Sequence, residues 1–539
     1  MKKIIFLLLL NLLLFSCARV GAPNGGTRDS LAPKFLGSNI DTTRLNVSRT
    51  VKELRLDFDE YVMLKDFNKN FNVSPPIKKI KKVIPSNLAN KYVLIQWEDT
   101  LQANTTYNFN FGNAIVDNNE SNPLPYFNFA FSTGDKIDDL FVSGTVKDAM
   151  TLIKENQTAK DNKMVVGLYK AGENLDYKQK PDYITKVDEE NYFELNFLPK
   201  GEFVIIAFDD ENQNSVYDAG KEKVSFLKEK ITLDSTSVRG LKLKLYPSKK
   251  VVKYKESKAI NGGLLMTFEG NPETVDVKSL SEELKDFKVT HAKRSDSVNI
   301  WFDAEKSNLG GTVSKQVKLS YFTPTISDTI SVSYKAVKDE FKLSNEAGNL
   351  IAPENNFVIN TSLPIENLNT SSWKLESDSI AQDFTAKVSE KNPFKILVNS
   401  SFKPTKKYVL TIPKETVSSY YSSNDKSFQF QFEIDKPENY GSFTAVIKNK
   451  PTAKFWVELT NEKGEILYSQ FTNASEVSFK NLKPATYIAR IRVDNNGNGF
   501  WDEADFAQNI AAEDVYIFEK EINVRPLWEI KEDWELTNR

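Results

Sequence analysis

The chain has 539 residues, a formal net charge of −2 and 40% hydrophobic residues, including 36 Phe and 20 Tyr. This hydrophobic content is enough for several folded cores and excludes a largely disordered chain. The balanced charge argues against nucleic acid as the main partner, because that binding needs a concentrated positive surface. A single cysteine excludes a disulfide within the chain, and a single histidine excludes a metal site built from several histidines.

The amino terminus has the pattern of a secretory signal peptide. Residues 1–3 are Met-Lys-Lys, residues 4–15 are apolar except Asn11, and Ser16 precedes Cys17. The apolar run is too short to span roughly 30 Å of hydrocarbon as a helix. Its ending, Leu-Phe-Ser-Cys, resembles a bacterial lipobox, which implies cleavage before Cys17 and acylation of that cysteine. The alternative is a secreted protein in which Cys17 is an incidental free thiol. An unpaired exposed thiol is reactive, so it would be a liability in an exported protein.

The rest of the chain has the pattern of an all-β protein. Residues 17–34 are rich in Gly, Pro, Asn and Ser, which predicts a flexible tether after the lipidated cysteine. Apolar and polar residues then alternate, as in 54–58, 107–111 and 127–131, with turn residues about every ten positions. This pattern is typical of antiparallel β-sandwiches. Helical spacing is limited to short stretches such as 279–284.

Two internal repeats divide the chain. Residues 101–107 resemble 402–408, and the phenylalanines that follow at 127, 129 and 131 recur at 428, 430 and 432, always 301 residues later. Residues 198–210 match 482–494 at an offset of 284, which indicates two copies of a second β module. We therefore predict a signal peptide (1–16), a tether (17–34), sandwiches at 35–136, 247–355 and 356–436, second-type modules at 139–246 and 438–526, and a tail (527–539) with weak helical spacing.

Both module types resemble known families. Residues 54–60, 101–107 and 114–119 resemble the bacterial Ig-like domain named for S-layer proteins, and 247–355 fits that pattern least well. Residues 198–203, which follow Val-Ser-Gly-Thr-Val at 142–146, are similar to transthyretin-like or carboxypeptidase-regulatory-like sandwiches. The whole arrangement resembles lipoproteins of Bacteroidota. These resemblances imply a fold and a location, but no activity.

The resemblance to Bacteroidota lipoproteins also implies a cellular location. Exported surface lipoproteins of that group tend to carry acidic residues just after the cysteine. Here Ala-Arg-Val-Gly follows Cys17, and the first acid is Asp29. We therefore expect a lipid-anchored protein of the outer membrane, at its periplasmic face rather than at the cell surface.

Residues 494–505 have the spacing of a calcium loop. They read Asp-Asn-Asn-Gly-Asn-Gly-Phe-Trp-Asp-Glu-Ala-Asp. Oxygen-bearing side chains occupy positions one, three, five, nine and twelve, and a glycine occupies position six, as in an EF-hand loop. The predicted ligands are Asp494, Asn496, Asn498, Phe500 at the backbone-ligand position, Asp502 and Asp505. Because the flanks are strand-like, Ca²⁺ would be structural, and the alternative is a turn without metal.

The repeat partner of this loop carries the same polar positions. Its predicted ligands are Asp210, Asn212, Asn214, Asp218 and Glu222. Ser215 replaces the glycine, and Lys221 occupies position twelve, so the match is weaker. No other cofactor is expected.

Seven Asp-Ser or Asp-Thr pairs, each followed by an aliphatic residue or threonine, resemble the O-glycosylation motif of exported Bacteroidota proteins. The hydroxyls are Ser30, Thr42, Thr100, Ser235, Ser297, Thr329 and Ser379. The alternative is that these pairs are ordinary turn formers.

Catalysis has little support in the sequence. A Ser-His-Asp site would need His291, and the chain has no Gly-x-Ser-x-Gly elbow, P-loop or dinucleotide fingerprint. We therefore expect a non-enzymatic envelope protein that acts as a scaffold or binds another envelope protein. The alternative is a glycan- or substrate-binding lipoprotein of a nutrient-uptake system.

Overall fold

A computed structural model describes residues 29–152, 163–172, 175–337, 341–346 and 348–536. The signal peptide, Cys17 and most of the tether lie outside the described residues. Within them, helix is limited to α1 (Phe67–Asn70) and a 3₁₀ turn (Pro437–Asn439), and none is long and apolar enough to cross a membrane. The predicted fold class, tandem β-sandwiches, is confirmed.

Sandwich one consists of two antiparallel sheets. Its strands are β1 (Phe35–Ser38), β2 (Glu53–Leu64), β3 (Asn72–Ser74), β4 (Ile80–Ile84), β5 (Asn90–Trp97), β6 (Thr106–Gly112), β7 (Ile115–Asp117) and β8 (Phe127–Ser132). One sheet has the order β1-β2-β5-β4, with β7 beside β2, and the other has the order β3-β6-β8. Residues 29–34, assigned to the tether from sequence, lie on this sandwich. The backbone N–H of Lys34 donates to Asp59, and Asn122 donates to the carbonyl of Asp29.

Sandwich two has a different topology. Its strands are β9 (Leu140–Asp148), β10 (Met164–Lys170), β11 (Tyr183–Lys186), β12 (Tyr192–Leu198), β13 (Gly201–Asp209), β14 (Val224–Phe226), β15 (Ile231–Leu233) and β16 (Val238–Leu245). The sheets are β12-β9-β16 and β11-β10-β13-β14, with β15 beside β13. The last strand, β16, returns to pair in parallel with the first, β9.

Sandwich three repeats the strand order of sandwich one. Its strands are β17 (Lys253–Ile260), β18 (Gly263–Glu269), β19 (Asp276–Ser279), β20 (Lys288–His291), β21 (Ser297–Trp301), β22 (Lys315–Phe322) and β23 (Ser327–Tyr334). The sheets are β17-β18-β21-β20 and β19-β22-β23. The helical expectation for 279–284 is wrong: Ser279 ends β19, and Leu284 is fully buried in the core, so its apolar character serves packing rather than a helix.

Sandwich four has the same arrangement with additional short strands. They are β24 (Leu343–Asn345), β25 (Leu350–Ile351), β26 (Phe357–Thr361), β27 (Asn367–Leu368), β28 (Lys374–Ser377), β29 (Ile380–Ala381), β30 (Phe384–Ser389), β31 (Asn392–Ser400), β32 (Lys407–Ile412), β33 (Val417–Ser418) and β34 (Phe428–Ile434). The main sheets are β24-β26-β31-β30 and β25-β34-β32-β28-β29, and β27 pairs with β33. Because β24 and β25 pair here, the boundary moves from 356 to before Phe341, which packs in this core.

The register of the strands explains the 301-residue repeat. Tyr107 lies opposite Phe131 in sandwich one, and Tyr408 lies opposite Phe432 in sandwich four. In both, the tyrosine hydroxyl accepts a backbone N–H five residues earlier, at 2.9 Å and 2.8 Å. The repeated residues therefore hold the same strand pair in the same register.

Sandwich five repeats the topology of sandwich two. Its strands are β35 (Gly441–Lys448), β36 (Phe455–Thr460), β37 (Ile466–Thr472), β38 (Glu476–Leu482), β39 (Ala485–Val493), β40 (Val515–Val524) and β41 (Glu529–Glu535). The sheets are β38-β35-β41 and β37-β36-β39-β40. The tail assignment from 527 onward is wrong, because β41 pairs in parallel with β35. Trp534 and Leu536 alternate into the core, which is strand spacing rather than helical spacing.

Sandwich five also packs against sandwich two. The outer face of the sheet formed by β10, β11, β13 and β14 is apolar, and Phe506 from the β39–β40 connection lies on it. The ring of Phe506 is 4.4 Å from Tyr177 and 5.1 Å from Phe226, centroid to centroid. Backbone hydrogen bonds join Ala504 to Pro247 and Lys249. The chain therefore folds back on itself rather than forming an open string.

Candidate functional site

The first predicted calcium loop follows β13 and closes on itself. The carboxylate of Asp210 accepts the backbone N–H groups of Asn214 and Ser215, each at 3.0 Å. Glu222 accepts the N–H groups of Glu211 and Asp218, at 3.1 and 2.8 Å. Both acids are almost fully buried. Hydrogen bonds from backbone N–H groups to these two carboxylates therefore hold the two ends of the predicted loop together.

The remaining polar residues of this loop complete the same network. The Asn212 side chain accepts the N–H of Asn214 and donates to Asp218 at 2.7 Å, and Asn214 accepts the N–H of Val216. Ser215 has a φ of 62°, the left-handed conformation that Gly499 provides in the other copy with a φ of 82°.

The second loop follows β39 and repeats these contacts. Asp494 accepts the N–H groups of Asn498 and Gly499, each at 3.0 Å, and Asn496 accepts the N–H of Asn498 at 3.0 Å. Asn498 in turn accepts the N–H of Phe500 at 2.8 Å. The amides of Asn496 and Asn498 donate to Asp502.

The structure places one predicted ligand, Asp505, apart from the rest of this loop. Glu513 accepts the N–H groups of Asn496 and Asp502, at 3.1 and 3.0 Å, which is the role of Glu222 in the first loop. Asp505 instead lies in a separate turn, where its carboxylate accepts the N–H of Gln508. The turn is an insertion between Asp502 and Glu513, so the spacing does not identify Glu513 as the acid that closes the loop.

The acids of the two loops differ in their electrostatics. Burial raises the pKa of Glu222 to about 7 and also raises the pKa of Glu513, despite the backbone hydrogen bonds that each accepts. Burial raises the pKa of Asp502 too, but hydrogen bonds from Arg294 and two asparagines outweigh it, and its pKa lies below the usual value. Among the described residues, no group of three or more His, Cys, Asp or Glu side chains is placed to hold a metal ion. Calcium binding stays a prediction.

The second loop sits at a junction of three sandwiches. Arg294 of sandwich three forms an ion pair with Asp502 at 2.7 Å, and its guanidinium lies 4.7 Å from the ring centroid of Phe500. Trp501 lies 6.5 Å from Tyr246 of sandwich two, centroid to centroid, and donates its indole N–H to the carbonyl of Glu513. The loop therefore has a clear structural role: it joins sandwiches two, three and five.

A second candidate site is a cleft of about 780 Å³ between sandwiches one and two. One wall is the outer face of the sheet β3-β6-β8, where Asn72, Asn110 and Asn128 lie side by side on three adjacent strands. Asn108 lies in the next row and is 8% exposed. We call this surface the amide wall.

The opposite wall comes from β11, β12 and the turn between them. Tyr192 and Asn196 both donate to the carboxylate of Glu194, at 2.7 and 2.9 Å. These three side chains share one face of β12, since they are two residues apart. Lys186 lies beside them, and burial, followed by repulsion from Lys69, lowers its pKa to about 8. The two sandwiches meet at the base, where the N–H of Ile184 donates to the Ser74 hydroxyl at 3.2 Å.

One polar atom in the amide wall has no partner. The side-chain oxygen Oδ1 of Asn108 is buried and accepts no hydrogen bond from any described residue. An unpaired buried carbonyl costs about 1–3 kcal/mol. An external donor in the cleft would remove this cost.

The cleft was not predicted from the sequence. The alternation in β6 and β8 predicts one face in the core and one in water, but the polar face of β6 lies against sandwich two. The available signal was the recurrence of asparagine at positions 108, 110 and 128.

The structure places the remaining predicted residues apart from these sites. Six of the seven hydroxyls are exposed, and Ser297 is half-buried and donates to Asp296. O-glycosylation of these residues stays a prediction. The ring of His291 lies 3.0 Å from the carbonyl oxygen of Ser295, measured from Nε2.

Comparisons with known proteins give one family match. Residues 29–133, which form sandwich one, match the model of a bacterial Ig-like domain. No curated protein sequence matches the chain.

Solved structures with some similarity include domains 1–6 of the surface layer protein SbsC, with 12% identity, a TM-score of 0.15 and coverage of 92% of this chain and 67% of that one. Another is SGBP-B of the Bacteroides ovatus mixed-linkage glucan utilization locus, in complex with a mixed-linkage heptasaccharide, with 9% identity, a TM-score of 0.20 and coverage of 72% and 94%. A third is BcpA, the major pilin subunit of Bacillus cereus, with 10% identity, a TM-score of 0.13 and coverage of 74% and 99%.

Proposed function

We propose that this chain is a non-catalytic, lipid-anchored protein of the outer membrane that acts as a structural scaffold and binds another envelope protein. One observation carries the proposal: the β39–β40 connection of sandwich five is seated between sandwiches two and three by Phe506 and the Arg294–Asp502 ion pair. Contacts of sandwich five with sandwiches two and three, which do not adjoin it in the sequence, hold the surfaces of the chain in fixed relative positions, as a scaffold requires. The anchor is Cys17, and the periplasmic face remains our expected location.

Crosslinking in the native host tests this function. The full chain and a C17S variant are treated with a membrane-permeant crosslinker and purified. We expect the full chain in the membrane fraction with one dominant protein partner, and C17S in the soluble fraction. Loss of the protein on protease treatment of whole cells would contradict the periplasmic location. Absence of any protein partner would contradict the scaffold function.

A second candidate function, glycan binding, is favoured by the cleft between sandwiches one and two. The cleft volume lies within the roughly 300–1,000 Å³ typical of small-ligand sites. Binding without crosslinked protein partners, together with retention on a polysaccharide resin, would favour this candidate over the scaffold.

A further inference from the structure

We infer that the cleft between sandwiches one and two binds an uncharged oligosaccharide through the amide wall on one side and Tyr192 on the other. This inference rests on the second candidate function, glycan binding, and assigns it a site. It begins with the unpaired Oδ1 of Asn108, which is buried in the row beside Asn72, Asn110 and Asn128. The Asn108 side chain is 8% exposed, so a rotation of its amide toward the cleft would let a ligand hydroxyl supply the missing donor.

The amide wall suits hydroxyl groups. An asparagine side chain offers an acceptor oxygen and two N–H donors within one plane, and a sugar hydroxyl can both donate and accept. The row formed by Asn72, Asn110 and Asn128 crosses three strands, whose spacing of about 4.8 Å sets the distance between successive amides. An extended chain of hydroxyl-bearing rings along this row would therefore meet a donor and an acceptor at each step.

The opposite wall adds an aromatic surface that is already oriented. Tyr192 is 39% exposed, and its hydroxyl is held by Glu194 at 2.7 Å. Tyr126 on sandwich one also lines the cleft and is 68% exposed. Aromatic rings contribute apolar contact area at low conformational cost, which suits the C–H face of a sugar ring.

The charges in the cleft favour an uncharged ligand. Lys69 and Lys186 line it together with Asp188, Glu189, Glu190 and Glu194. The four acids outnumber the two lysines, so the cleft has no concentrated positive field to select a phosphate or a polyanion, and the carboxylates of Asp188 and Glu194 already accept hydrogen bonds within sandwich two. A peptide is disfavoured as well, because the amide wall is a sheet face lined with side chains, and addition of a β-strand requires an open backbone edge.

Calorimetric titration of the full chain in detergent tests the inference. The probes are maltohexaose, cellohexaose, laminarihexaose, mannohexaose, xylohexaose and chitohexaose, with a tryptic peptide pool as the comparison ligand. We expect at least one hexasaccharide to bind. The variants N108L, N128A and Y192A should each weaken that binding about tenfold or more, since each removes one direct contact. The melting temperature of each variant shows whether it folds.

Two variants outside the cleft serve as controls. Tyr61 is an exposed tyrosine of sandwich one and Asn118 an asparagine of its turn, and neither lines the cleft. Y61A and N118A should bind as the wild type does. Oligosaccharide binding that survives N128A and Y192A would overturn the site and leave glycan binding intact. No binding of any hexasaccharide would overturn both. Binding of peptides alone, weakened by Y192A, would overturn the ligand class.

Discussion

A buried acid in sandwich five shows how single residues fix the position of the second loop. Glu458 lies on the outer face of β36 and is fully buried. It accepts hydrogen bonds from Arg490, at 2.7 Å, and from Arg492. The guanidinium of Arg492 lies close to the rings of both Trp456 and Trp501, 5.9 and 5.7 Å from their centroids. Glu458 therefore positions the guanidinium of Arg492, against which Trp501 of the second loop packs.

Removal of Glu458 should be strongly destabilising. In E458A, Arg490 and Arg492 lose their common partner, and Arg490 is buried. Breaking a buried ion pair lowers the free energy of unfolding by about 3–5 kcal/mol. Chemical denaturation of sandwich five, followed through its tryptophans, measures the loss. E476A is the matched control, because the Lys531–Glu476 pair in the same sandwich is more than half exposed on both sides and should contribute about 0–1 kcal/mol. Equal effects of the two variants would contradict this assignment.

At the scale of elements, the sequence predicted most of the two loops because their geometry requires fixed spacing. Asp210 and Asp494 each accept the N–H groups four and five residues later, so the positions of the polar residues follow from the turn itself. Glu513 was missed because its contact spans an inserted turn, and sequence spacing carries no information across an insertion.

Calcium should act through Glu513 rather than Asp505. The pKa of Glu513 and that of Glu222 are raised by burial, so a cation that neutralised these acids would relieve the cost of ionising them. We predict that Ca²⁺ raises the melting temperature, with a stabilisation of about 2.7 kcal/mol at a concentration 100 times the dissociation constant.

Variants of the acids test the assignment of the calcium effect. The double variant E222A/E513A should remove the calcium-induced shift, and D505A should retain it. The shift between calcium and chelator is compared within each variant, so that a loss of basal stability does not affect the result. No shift in the wild type would show that the loops are closed by hydrogen bonds alone.

At the scale of the molecule, the sequence predicted the sandwiches but not how they pack. Alternation reports which face of a strand is buried in its own core, and the repeats located equivalent strands hundreds of residues apart. Contacts between sandwiches are harder to predict from the sequence pattern. The run 203–208 in β13 is apolar at every position, which is typical of a strand buried on both faces. It indicates that something covers the outer face, but the covering residue, Phe506, lies about 300 positions away.

Phe506 should control whether the chain stays folded back. Its side chain is 5% exposed and packs on the outer face of sandwich two, and truncation of a buried phenylalanine costs about 3–5 kcal/mol. In F506A we expect this loss to separate sandwich five from sandwich two while each core remains folded. Small-angle scattering should then show a larger maximum dimension, and calorimetry should resolve more than one transition. F471A is the control: Phe471 is 44% exposed and stacks on Trp456 of its own sandwich at 4.4 Å, so its loss should leave the dimension unchanged. An unchanged dimension in F506A as well would mean that the Arg294–Asp502 pair and the backbone bonds of Ala504 suffice to hold the sandwiches together.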